Sequence, residues 1–369
     1  MTDLNFQRET LKEGVEAFRS GKLDRRTFLT LCAACGFVPA AVISGDAEAA
    51  ADSIVMWNWG GESEECHGAA IGEPFEDATG IPLRFDTSGP LQGKIKEMLD
   101  SGNVTADVAD ADLFDAVALG PTGHLEPIDY AVVSKEKTLP QYALEYGVSI
   151  ILYGYAFVYD TEAFGDNPPK DWADFFDTEK FPGTRSLYKW GNGALEAALM
   201  ADGVAKDALY PLDMERALDK VKSIKDDTIY WSSGSEAHSM VVNGEVRMGM
   251  IWQNRGRAME QDTDGRYKLV NNQAIAMPGA YIVPKGNPAG REAAMKFIAT
   301  AQEVPAQLKL LDCLGMTPSN PEAFAQIPED QQPYAITSAQ NIDQIAFNDP
   351  VWWGENSSDA VNQFLDAIS

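Results

Sequence analysis

The chain has 369 residues and carries 56 Asp and Glu against 29 Lys and Arg, a formal net charge of −27. A surface this acidic repels nucleic acid and anionic lipid head groups, which argues against a binder of either. The three histidines, His67, His124 and His238, stand far apart with no HExxH and no paired Cys/His spacing, so no metal site or cofactor is expected.

Residues 1–51 read as an address rather than as fold. Leu23-Asp24-Arg25-Arg26-Thr27-Phe28-Leu29 sets a twin arginine before an uncharged stretch, and Ala47-Glu48-Ala49-Ala50-Ala51 would suit a signal peptidase. The segment resembles a twin-arginine export signal, which implies a periplasmic protein. Its apolar stretch, broken by Gly36 and Pro39, is short for a membrane span. Cys32 and Cys35 lie inside it, so their spacing is no redox motif. About 320 residues then remain, enough for two lobes with separate cores. Of the remaining cysteines, Cys66 and Cys313 could pair in an oxidising compartment or stay as two buried thiols.

In chain order, Ile54-Val55-Met56 has the apolar run of a buried parallel strand. Trp57-Asn58-Trp59-Gly60-Gly61-Glu62 follows it, offering stacking surfaces beside free backbone N–H groups; the plainer alternative is that both tryptophans are core. Residues 63–78 predict a helix capped by Gly80, with Pro74 in its middle. Ile81, Leu83 and Phe85 alternate as a strand, and Thr87-Ser88-Gly89-Pro90 turns into a helix carrying Leu91, Ile95, Met98 and Leu99. Residues 107–112 predict a third strand and a short helix after it. Three such units argue for a parallel sheet, whose carboxyl edge would present Trp57, Trp59, Gly60, Ser88, Asp112 and Phe114.

Residues 148–160 form a long aromatic and β-branched run with Gly154 inside it, as a strand crossing between lobes would. A second α/β region follows, with strands expected at 184–189, 228–231 and 246–252. Its helices are expected at 172–176, 194–201, 213–225 and 236–243. Further strands at 268–277 and 280–284 precede helices at 291–301, 304–314 and 359–368. No GxSxG elbow is present, and Gly191-Asn192-Gly193 has Glu196 where a dinucleotide loop needs its third glycine, so an enzyme is not expected.

Seven segments in register are similar to the polyamine-type (spermidine/putrescine-binding) ABC-transporter substrate-binding proteins. They are Ile54–Gly61, Phe75 with Thr79-Gly80-Ile81, Trp172–Phe176, Asn243–Trp252, Tyr281–Gly286, Glu292–Ile298 and Thr317-Pro318-Ser319-Asn320. The resemblance implies an α/β, two-lobed periplasmic binding fold of type II, each lobe a mainly parallel sheet flanked by helices. Lobe one would take 52–152 plus 280–316, and lobe two 153–279 plus 317–369. It implies a monomer that works with an ABC permease and its ATPase.

The aromatic walls of that family have counterparts in Trp59, Phe114 and Trp252, but the acidic positions for ammonium groups do not. Lys189-Trp190-Gly191 and Met277-Pro278-Gly279 stand where acids are expected, and Arg255 follows Trp252. An arginine there suits a carboxylate or phosphonate through a bidentate contact. Against a diamine, an unscreened like charge costs about 4 kcal/mol at an effective dielectric of ~20 and ~4 Å. The expected solute is therefore a small organic anion or zwitterion, with Arg255 on its acidic end and Trp59, Trp190 and Trp252 around its body. Glu62 and Asp112 could neutralise one cationic group, and Ser88, Tyr153 and Ser233 could add hydrogen bonds. The alternatives are a true polyamine, an exported enzyme on the same scaffold, a chemoreceptor partner, a thiamine binder, or a ferric-ion binder using Tyr153, Tyr155 and Tyr281.

Overall fold

Short strands of four or five residues separated by helical segments build a sheet from Ile54 onward. A computed structural model describes residues 51–90 and 92–369; the twin-arginine segment and Leu91 lie outside the described residues. Strands β1 (Ile54–Trp57), β2 (Leu83–Asp86) and β3 (Val108–Asp112) are parallel, with β1 in the middle. The long β4 (Val148–Asp160) leads to β5 (Arg185–Tyr188), β6 (Thr228–Trp231) and β7 (Met248–Trp252), parallel again with β5 in the middle. Next comes β8 (Tyr267–Ile282), and the short β9 (Thr317–Pro318) and β10 (Ala346–Phe347) pair with β4 and β8.

The order across the sheet is β2-β1-β3-β8-β4-β7-β5-β6. Two parallel flanks are joined through an antiparallel centre in which β3 pairs β8, β8 pairs β4, and β4 pairs β7. The long run at 148–160 is thus one strand, buried along nearly its whole length. Its amino half belongs with the β1–β3 flank and its carboxyl half with the β5–β7 flank. One apolar core gathers Phe157, Leu187, Trp231, Met250 and Phe364. Two others, around Ile54, Val108 and Phe297 and around Trp57, Leu113 and Ile282, pack the first flank.

Three elements differ from their expected form. The helix at 63–78 is two helices, Glu62–His67 and Glu73–Thr79, joined by a π-helical turn at Gly68–Gly72. Pro74 therefore sits in a first turn, where its missing N–H leaves no bond unmade. The strands at 268–277 and 280–284 are one, because Pro278 pairs opposite Leu152 and Gly279 leaves room for Ile151. A Cβ at Gly279 would lie 2.6 Å from Ile151 Cδ1. The last helix is longer than expected, Pro350–Ile368, with the Asp349 carboxylate accepting from the Val351 and Trp352 N–H groups. Gly354 brings it against the helix Leu113–Leu119: a Cβ there would lie 2.5 Å from Val117 Cβ.

Cys66 and Cys313 are disulfide-bonded, tying Glu62–His67 to the helix Val304–Leu314. At the far end of β4, fully buried Asp160 accepts from Arg247 of the β7 side and Arg266 of the β8 side.

Candidate functional site

The carboxyl ends of β1 and β3 present the first half of the site. Trp57 is buried and its indole N–H donates to Ser88 Oγ at 2.9 Å. Trp59 instead stands 51% exposed, with its indole N–H donating to the Asp110 carbonyl at 3.1 Å. Of the tryptophan pair, one packs and one faces outward. Glu62 is exposed at the start of its helix, and Ser88 is exposed in the turn before Gly89, which packs on the Trp59 ring.

Asp112 ends β3 and precedes the helix that carries Phe114. Its carboxylate accepts from Tyr153 OH at 2.8 Å, and its N–H donates to Asp115 Oδ2 at 3.1 Å. Three carboxyls lie close together here, and burial pushes all of them up. Asp110 rises to about 7 through burial and then the Asp112 charge. Asp112 rises through burial, opposed by the Tyr153 bond, and Asp115 through burial and the Asp112 charge. A cationic group placed over Asp112 would meet a site short of positive charge.

From Tyr153 an unbroken aromatic cluster reaches the other flank. Tyr153 packs edge-on to Tyr155 at 6.2 Å between ring centroids, and Tyr155 lies 5.5 Å from Tyr188. Tyr188 is 4.7 Å from Trp231 and 6.1 Å from Trp252, and those two tryptophans meet edge-to-face at 5.6 Å. Phe114 is half-buried against the same core. Gly193 sits on the Tyr155 ring, where a Cβ would lie 2.3 Å from Cδ2, so the Gly191-Asn192-Gly193 loop serves packing rather than phosphate binding.

The end of β7 holds an unusual concentration of unmet hydrogen-bonding groups. Trp231 Nε1, Trp252 Nε1, Arg255 Nε and both amide atoms of Gln253 are buried with no partner. Each such group carries a desolvation cost of about 1–3 kcal/mol unless something satisfies it, so their grouping asks for an explanation. Arg255 and Trp252 fold over the first turn of the helix Gly234–Val242; a Cβ at Gly234 would lie 2.6 Å from Arg255 Nε and 2.7 Å from Trp252 Cε3. Four of these five atoms are donors, and one, Gln253 Oε1, is an acceptor.

The structure therefore brings Asp112, Phe114, Tyr153, Trp252 and Arg255 to one aromatic system. Trp59 and Ser88 stand on the adjoining strand ends. Ser233 caps the helix at 234–242 by accepting from the Glu236 N–H, next to Arg255's glycine. Trp190 is 39% exposed with Lys189 over its ring. Tyr281 belongs to another core, against Phe297, so the tyrosines expected of an iron site do not form one group. Sequence reasoning passed over Tyr188, Trp231 and Gln253. The first two end strands β5 and β6, and that strand-end position was the signal that could have found them.

A family model for bacterial extracellular solute-binding proteins matches residues 70–337. The gamma-aminobutyric acid-binding protein of Pseudomonas aeruginosa is 26% identical over 324 residues, covering 86% of this chain and 91% of that protein. A solved GABA receptor is 34% identical with a TM-score of 0.78, covering 86% of this chain and 98% of the other. The PBP AgtB of A. tumefaciens R10, solved in complex with agropinic acid, is 28% identical with a TM-score of 0.72, covering 86% and 98%.

Proposed function

This chain belongs to the bacterial extracellular solute-binding protein family, and from that premise we propose that it is the solute-binding component of an ABC importer for a small carboxylate-bearing or zwitterionic solute. The observation that carries the ligand class is the set of unpartnered donors from Trp231, Trp252 and Arg255 at the end of β7. A carboxylate there would satisfy several of them at once, and the guanidinium would give it a charge-assisted contact. Asp112 with Tyr153 would take an ammonium or other donor group of the same solute, and Trp59 would close over its body. Relatives described by GABA and by agropinic acid favour an acid over a diamine.

In this reading lobe one comprises 52–152 plus 280–316 and lobe two 153–279 plus 317–369, with β4 and β8 as the connections on which the lobes close. The twin-arginine segment would deliver the protein to the periplasm, where it would meet the permease and ATPase as a monomer. The remaining proposed contacts are Glu62, Ser88, Trp190 and Ser233.

A thermal-shift screen tests the reading. Stabilisation by γ-aminobutyrate or another small amino or carboxylic acid, and none by putrescine or spermidine, is the expected result. The reverse pattern would sink the anion reading in favour of the polyamine-type one. Mass spectrometry of the incubated solute separates carrier from enzyme, because a carrier returns its solute unchanged.

A further inference from the structure

Asn58 stands between the two tryptophans of the first strand end. It is fully buried, although its amide and peptide groups together need several partners. Its N–H donates to the Asp86 carbonyl at 2.8 Å, and its own carbonyl accepts from the Gly89 N–H at 3.2 Å. Oδ1 accepts from the Gly60 N–H at 2.9 Å. Nδ2 donates to Ser63 Oγ at 3.1 Å and, at the limit of a hydrogen bond, to Asp110 Oδ2 at 3.5 Å.

Three of these partners, Gly60, Gly89 and Asp110, adjoin Trp59. Gly60 follows it with φ +73, a left-handed turn that suits glycine. Gly89 lies beneath its ring, with a Cβ position 3.5 Å from Trp59 Cε3. Asp110 accepts its indole N–H. A half-exposed indole ordinarily samples several rotamers, and a solute that had to fix it would lose affinity in doing so.

We propose that Asn58 is a positioning residue that holds Trp59 as a fixed wall before the solute arrives. The inference rests on the reading of Trp59 as part of the solute site, and the test has one arm that does not.

In the ligand-free protein, the ¹⁵N indole spectrum is recorded for the wild type, for Asn58→Ala, and for Trp59→Phe to assign the signal. The expected result is that Asn58→Ala moves the Trp59 signal and speeds its hydrogen exchange, with the Trp172 and Trp353 signals in place. An unchanged Trp59 signal overturns the proposal whatever the solute. If Asn58→Ala does not fold, Asn58→Ser, whose hydroxyl can still accept from Gly60, is expected to give intermediate exchange, and wild-type exchange would overturn the proposal. The second arm is calorimetry with γ-aminobutyrate. Asn58→Ala should weaken binding about tenfold in the wild type and less than about twofold in a Trp59→Ala background. Equal losses in both backgrounds would mean a structural role only and overturn the proposal. If γ-aminobutyrate does not bind the wild type, the calorimetry uses the acid that the thermal-shift screen selects; if no acid binds, the ligand reading fails while the indole spectrum still decides Asn58.

Discussion

Replacing Asp160 by asparagine removes one negative charge from a fully buried position and leaves its shape. The carboxylate accepts from Arg266 Nη2 at 2.7 Å and Nε at 3.2 Å, from Arg247 Nη1 at 2.5 Å, and from the Glu162 N–H at 3.0 Å. Burial by itself would push this carboxyl up, but the bonds from Arg266 and Arg247 more than offset it and hold it below the ordinary carboxylate range. A neutral hydrogen bond contributes about 1 kcal/mol and a charge-assisted one about twice that, so two arginines losing their charged partner costs about 2 kcal/mol. The arginine side chains are 43% and 34% exposed, so water recovers part of this and the figure is an upper bound. Asp160→Ala would also lose the helix cap, adding about 1 kcal/mol. A group whose pKa is depressed by folding stabilises above its unfolded pKa, and that contribution is lost as pH falls through the folded one. Urea unfolding should therefore show Asp160→Asn less stable at pH 7, with the gap to wild type closing as pH falls below the ordinary carboxylate value and through the depressed one. Equal midpoints at pH 7, or a gap that ignores pH, would refute the reasoning.

Three other outcomes are expected. Arg255→Met should weaken a carboxylate solute by at least about 30-fold in calorimetry, with Arg255→Lys recovering only part because an ammonium cannot form the planar fork; undiminished affinity would place the anion elsewhere. Asp110→Asn should stabilise the protein at pH 8 and change little at pH 4. Burial raises this carboxyl to about 7, so wild-type stability falls as pH rises from the ordinary carboxylate value to that point; thermal unfolding that responds equally at both pH values would contradict this. Cys66→Ser opens a bridge spanning 247 positions, worth about 5 kcal/mol at most in the chain-entropy model, and guanidinium midpoints indifferent to both the substitution and reductant would count against the bond.

Much of the fold was legible because burial on both faces leaves a plain mark: the helices Ala194–Ala201, Arg291–Ala301 and Val304–Leu314 lie where their patterns put them. What sequence could not give was long-range partnership. Pro278 and Gly279 look like a strand end until Ile151 fills the space beside them. The Trp352-Trp353-Gly354 segment lacks an amphipathic period. Trp353 is buried with its indole N–H on Glu196 at 2.7 Å, and Gly354 exists for Val117. At the site, Trp59, Trp252, Arg255 and Asp112 stood out by type and strand-end position. Trp231 held the same strand-end position and was passed over, and Gln253 gave no such signal, since only packing shows that its amide atoms are buried and unmet.

The continuity of β4 and β8 bears on how the molecule could be cut or extended. Severing the chain between 152 and 153 would leave two stubs of β4, each with bare peptide groups along an apolar edge, and such fragments aggregate instead of reassembling. A fluorescent reporter is better inserted at the exposed turn Gly165-Asp166-Asn167, just past the Asp160 clasp, where no ladder bond is interrupted. Joined there, its signal would report on the carboxyl half of β4 while the sheet stays whole.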